Sequence, residues 1–255
     1  MAFVAPKVIL TPLLIASASL AGRRWGALTS GWLLALPLTS GPIALFISLE
    51  LGAAAGAQAA AGSLVGATAQ VAFSVGYALA SRRFDWPGCL AAGSVAFAIA
   101  AVFVPPMDPV FLFGLALAAI AVGLPILRAE PADQALRVTR PSRWDIPARA
   151  LVATILVLAI SGAAPIVGGH AAGLLATFPV YISVLTTFAH RLGGPAQARA
   201  VLRGLLIGLP GFATFFLVAG AAVVAWGAVA AFGAALAAAV VINLAAIGLL
   251  RWRER

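Results

Sequence analysis

Apolar runs separated by short polar turns cover almost the whole chain. Nine of them stand near Val8 to Ala21, Thr29 to Leu51, Ala57 to Ala80, Gly88 to Pro105, Val110 to Leu127, Ala150 to Ile166, Ala171 to Ala189, Gly204 to Ala225 and Ala228 to Leu250. A helix of about 20 residues crosses the roughly 30 Å hydrocarbon core of a bilayer. The pattern therefore predicts an all-α polytopic membrane protein of about nine transmembrane helices. The first run is the shortest, and its tail Ala-Ser-Ala-Ser-Leu-Ala resembles a signal-peptide cleavage site. It is read as a membrane helix because its residues recur in the sixth run, Ser19 as Ser161 and Ala21 as Ala163.

That recurrence belongs to a longer register. Gly31 to Gly52 (GWLLALPLTSGPIALFISLELG) lies over Gly173 to Gly194 (GLLATFPVYISVLTTFAHRLGG) without gaps. Gly31 meets Gly173, Pro37 meets Pro179, Phe46 meets Phe188 and Gly52 meets Gly194, each 142 positions apart (173−31, 179−37, 188−46, 194−52). Downstream, Gly62, Gly66 and Phe73 meet Gly204, Gly208 and Phe215 at the same offset. A gapless register through prolines and phenylalanines argues for internal duplication. The only long polar stretch, Arg128 to Arg149, holds three prolines and mixed charges. It reads as a cytoplasmic linker, alternatively as a contact for anionic lipid heads. The expected organisation is repeat one over 1–127 with five helices, the linker over 128–149, and repeat two over 150–255 with four.

Composition agrees: 63% hydrophobic residues, 9% charged and a mean hydropathy of +1.10 leave too much apolar surface for one soluble core. The net charge of +9 would suggest nucleic acid in a soluble protein. Here the basic residues cluster at the ends of apolar runs, and the charge reads as topology. With nine helices, Arg23, Arg24, Arg82, Arg83, the linker arginines, Arg191, Arg199, Arg203, Arg251, Arg253 and Arg255 fall on one side, and only Lys7 on the other. The amino terminus is expected outside and the carboxyl terminus in the cytoplasm. Five helices before the linker place the second copy upside down relative to the first, as inverted repeats. Arginine and alanine richness points to a bacterial inner membrane.

Candidate chemistry is sparse. Cys89 is alone, and His170 and His190 are expected at opposite membrane faces, so no metal set is predicted. Glu50, an acid inside a predicted span, is either an interfacial residue or a coupling group. Gln58 and Gln70, with Ser63, Thr68, Ser74 and Tyr77, make the third span the most polar, suited to lining a cavity or to bonding between helices. Asn243 is expected to bond a neighbouring helix. Gly52/Gly56, Gly62/Gly66 and Gly204/Gly208 have the spacing for close helix contact.

The sharpest local feature is Pro37-Leu-Thr-Ser-Gly-Pro42. Each proline removes a backbone donor, and the helix is expected to unwind over Leu38 to Gly41. In transporters built of inverted repeats such breaks form the binding site; a kinked packing helix is the alternative. The binding reading names Thr39, Ser40, Gly41, Gln70, Thr177 and Tyr181, with Glu50 for coupling.

Gly168 to Pro210 resembles the small bacterial inner-membrane proteins of the GlpM family, through Ala172, Gly173, Leu174, Phe178, Pro179, Gly193, Ala198, Arg199 and Pro210. Repeat one keeps Gly31, Pro37 and Gly52 but lacks the Phe-Pro pair. Some members of that family are linked to exopolysaccharide production, which implies an accessory role in envelope assembly; the resemblance supplies no catalytic residues. The layout is also similar in kind to drug/metabolite transporters, with one helix fewer.

The reading favoured is a permease for a small solute, with the accessory role second. No enzymatic motif is present, and the chain is expected not to be an enzyme. No cofactor is expected. The expected partners are the lipid bilayer, a small solute and a second copy in a homodimer; nucleic acid is not one.

Overall fold

The computed structural model describes residues 4–38, 40–105, 107–127, 143–163 and 178–253. These are all helix and connecting turn, with no strand among the described residues. In chain order the helices are α1 (Val4–Trp25), α2 (Ala27–Leu34), α3 (Ser40–Glu50), α4 (Ala53–Ala80), α5 (Trp86–Phe103), α6 (Pro109–Ile126), α7 (Asp145–Ala163), α8 (Val180–Trp226) and α9 (Ala228–Arg253).

Among the described residues five stretches are long and apolar enough to cross a bilayer: α4, α5, α6, α8 and residues 228–246 of α9. They divide into a centre and a shell. In α4 and α8 more than half of the most apolar window is buried, against 17% in α5, 22% in α6 and 28% in α9. The core between the two central helices is built from Leu64, Phe73 and Tyr77 on α4 and Leu202, Leu205, Leu206, Leu209 and Phe216 on α8. The shell turns Val95, Ile99, Val102, Phe111, Val122, Leu236, Val241 and Leu244 outward. An apolar belt of this extent is costly in water and favourable in lipid, which marks the chain as membrane-embedded.

The second apolar run of the sequence is two helices. α2 and α3, about 12 and about 17 Å long, are each too short to span and together match a bilayer core. The break falls earlier than the sequence suggests. Ala35 to Leu38 leave the helix, whereas Ser40 and Gly41 already belong to α3. The reason is the position of the two prolines. Pro37 cannot donate to the Leu33 carbonyl, which instead accepts from Leu36 N at 3.2 Å. Pro42 sits in the first turn of α3, where a missing N–H leaves no carbonyl unpaired.

A second difference concerns the expected loop after the seventh run. Residues 190–203 are helical, and α8 runs on past them with a kink at Gly194 (φ 79°, ψ −176°). At about 70 Å if straight, α8 would be more than twice the hydrocarbon thickness; the kink splits it into arms 180–193 and 195–226. Glycine permits the positive φ, and Pro195 directly after it starts the next arm at a position where proline costs nothing. Gly52 makes the corresponding turn between α3 and α4, at φ 95°. Residues 145–149, at the end of the polar stretch, belong to α7, which begins at Asp145.

α2 lies across the 195–226 arm at backbone contact. A Cβ on Gly31 would strike the Val201 carbonyl, and one on Gly204 would strike the Leu28 carbonyl, so the two glycines are what allow the crossing. Asn243 on α9 bonds its own helix, donating to the Ala239 carbonyl at 3.0 Å, rather than a neighbouring one. Gly211 on α8 leaves the space in which its amide sits.

Candidate functional site

Two helix breaks at proline border one cavity, the first through Leu36 and the second through Phe178 and Pro179. At the first break Leu38 N donates to the Leu36 carbonyl at 2.7 Å, and Gly41 N donates to the Pro37 carbonyl at 3.0 Å. At the second, Val180 N donates to the Phe178 carbonyl at 2.8 Å, and Ser183 N donates to the Pro179 carbonyl at 2.9 Å. All four residues of the second pattern are 142 positions beyond those of the first (180−38, 178−36, 183−41, 179−37). Pro179, at φ −79° and ψ 65°, is the centre of an inverse γ-turn. Both breaks thus use the same device: a tight turn at proline, whose own carbonyl then opens the next helix.

The cavity, about 510 Å³, is bounded by Leu36 and Ser40 from the first break, by Phe178 to Ile182 from the second, and by α4 through Ala59, Gly62, Ser63, Gly66 and Gln70. Leu205 and Phe212 close it on the α8 side. That volume suits a small organic solute. The described lining carries no charged side chain, and an ion entering it would lose its hydration without a counter-charge. The polar groups available are two hydroxyls and an amide. Ser63 Oγ donates to the Ala59 carbonyl at 3.0 Å and keeps its lone pairs. The Gln70 side-chain amide has no hydrogen-bond partner among the described residues.

Of the residues named from the sequence, Ser40, Gln70 and Tyr181 meet on this cavity. The Tyr181 hydroxyl is engaged elsewhere, 3.1 Å from Thr11 Oγ1 on α1, so the residue contributes its backbone and ring. Gly41 is buried beside the Phe215 ring, away from the lining. Glu50 is exposed at the end of α3 and does not reach the cavity. Thr39 and Thr177 lie outside the described residues, as does His170. Gln58 is exposed.

Three further polar contacts join distant parts of the chain. His190 is buried, with Nδ1 3.1 Å from the Tyr77 hydroxyl across the α4–α8 interface. At the C-terminal cap of α4, Ser81 Oγ accepts from Arg199 Nη1 at 3.0 Å. Arg203 Nη1 donates to the Leu127 carbonyl at the end of α6, at 3.3 Å. Arginines expected in a loop therefore tie α8 to α4 and α6.

Among the described residues no cluster of His, Cys, Asp and Glu could hold a metal ion. Set against protein-family models, curated proteins and solved structures, the chain finds no match in any of the three.

Proposed function

We propose that the chain is a permease-like protein of a bacterial inner membrane that takes a small, uncharged solute into the cavity between its two proline breaks. The observation that carries this reading is the convergence of both breaks on one cavity that carries no charged side chain among its described lining, beside a Gln70 amide without a hydrogen-bond partner among the described residues. Irregular backbone inside a bilayer is stable only against protein or a watery cavity, and paired breaks around a central site are what transporters with internal repeats use.

The proposed architecture is two inverted repeats joined through the arginine-rich linker, with α6 as the extra helix of repeat one. Three features besides the matching turns support it. Gly52 and Gly194 share a positive φ, α4 and the second arm of α8 begin 142 positions apart (195−53), and so do α5 and α9 (228−86). In the proposed orientation the amino terminus is outside and the carboxyl terminus is cytoplasmic, with nine crossings, the seventh ending near residue 193. Single cysteines at Gly169 and Arg137 in a Cys89→Ala background then react from opposite sides with an impermeant maleimide. Reaction from the same side contradicts the nine crossings.

The function is tested by a ligand-stabilisation screen of the purified protein with neutral small solutes, since a ligand held by the folded state raises its melting temperature. The expected result is at least one stabilising solute that binds about tenfold more weakly to Gln70→Leu and is taken up by proteoliposomes. No stabilising solute, together with co-purification of polysaccharide-assembly enzymes, would move the accessory role ahead.

A further inference from the structure

A second cavity, about 420 Å³, lies where α1 ends and α7 begins, beside the Gly194 kink. Its chemistry is the opposite of the first. Arg23, Asp145 and Arg149 line it together with Ser19 and Ser30. Asp145 is buried, and its two oxygens are divided between the arginines: Oδ2 accepts from Arg23 Nη2 and Oδ1 from Arg149 Nε, both at 3.0 Å. One carboxylate cannot neutralise two guanidiniums, so the described lining keeps one net positive charge. Each guanidinium carries five N–H donors and gives Asp145 one. Arg149 is also withdrawn from water. Its side chain is 11% exposed, and the guanidinium carbon stands 5.2 Å from the centroid of the Phe188 ring.

A second observation points the same way. Ser19, 4% exposed, lines this cavity, and its buried Oγ has no hydrogen-bond partner among the described residues. A buried hydroxyl without a partner costs stability, and so does excess positive charge held away from water. An anion with several acceptor oxygens relieves both at once. Ser19 and Arg23 on α1 and Arg149 on α7 bring donors from two helices to one cavity, and guanidinium forks match phosphate oxygens.

We propose that this cavity binds a phosphate oxyanion, carried either by the phosphodiester of an anionic lipid headgroup or by free inorganic phosphate. The site is independent of the solute cavity. It lies at the end of α1 and the start of α7, and basic sites at helix ends recognise anionic headgroups. Bound there, the anion closes the charge balance of the Arg23–Asp145–Arg149 group and draws α1 and α7 together.

The test is thermal unfolding of the purified full-length protein in a neutral detergent. One arm titrates inorganic phosphate against sodium chloride of equal ionic strength. The other compares short-chain phosphatidylglycerol with phosphatidylcholine. A specific rise in melting temperature of about 2–4 °C in either arm is expected. A rise with phosphatidylglycerol alone assigns the site to a lipid headgroup, and a rise with phosphate as well assigns it to the free anion. Asp145→Asn keeps both guanidiniums and removes the competing carboxylate, so the half-maximal anion concentration should fall about tenfold. Arg23→Gln, at the more exposed of the two arginines, should abolish the rise without needing the buried Arg149 to be changed. The proposal is overturned if neither anion exceeds its matched control in the wild type, or if Arg23→Gln responds as the wild type does.

Discussion

Gly204 and Gly208 on α8 and Gly62 and Gly66 on α4 share one spacing and one register, yet the two faces meet different surroundings. The α8 face is closed by α2. Gly204 lies against the Leu28 carbonyl, and Gly208 against Trp32 and Ala35. The α4 face looks into the cavity between the proline breaks, and a Cβ built on Gly62 meets nothing within 4 Å. A small-residue stripe therefore permits close approach without specifying that a helix will make it. What separates the two faces is the helix laid over one of them. On α8 the fit is backbone to backbone, whereas on α4 the same stripe leaves room that Ser63 and Gln70 make partly polar.

The largest effect expected from breaking this contrast is that of Gly204→Leu. Overpacking normally costs about 1–3 kcal/mol, and more where the obstruction is backbone that cannot rotate away. The variant should fail to give a monodisperse, cooperatively unfolding protein in size-exclusion chromatography and thermal melts. A well-folded Gly204→Leu would show that the α2–α8 crossing is not tight.

Next in size is Gln70→Leu, which acts on the open face. Removing an amide that has no partner among the described residues should leave the melting temperature unchanged or slightly raised. Affinity for the stabilising solute should fall about tenfold, as for a lost hydrogen bond in a water-poor site. A variant that melts well below the wild type would identify Gln70 as a structural bond, and the cavity reading would lose its main polar contact.

Tyr77→Phe sharpens the contrast further along α4, where the helix packs on the first arm of α8. Loss of the bond to His190 should cost about 1 kcal/mol, read by denaturant unfolding, and should not change solute affinity. A change in solute affinity without a change in stability would connect this buried pair to the cavity.

How much of this was legible in the sequence varies along the chain. α4, α5 and α6 follow from sustained apolar length, and the turn at Trp226 and Gly227 from the interruption between two such runs. The helical course of residues 190–203 was not legible. Gly193-Gly194-Pro195 reads as a helix breaker, and only the geometry of Gly194 shows that two helical arms can meet there with no loop between them. The sequence located Pro37 as a break but placed the unwinding too far along, because Pro42 looks equivalent until its place in the first turn of α3 is known. Ser40, Gln70 and Tyr181 could be picked out as polar groups on broken or polar helices, but their meeting on one cavity depends on how α3, α4 and α8 pack. The Arg23–Asp145 and Tyr77–His190 contacts bridge 122 and 113 positions of chain. No periodicity connects residues so far apart.

The central claim is that the open glycine face of α4 is a solute site, and Gly62→Leu tests it most directly. A leucine there enters open space, so folding should be preserved, with a melting temperature within about 2 °C of the wild type. Its side chain also occupies the cavity, so equilibrium binding of a solute that stabilises the wild type should be lost. Wild-type affinity retained in a folded Gly62→Leu protein would contradict the account and place the solute elsewhere.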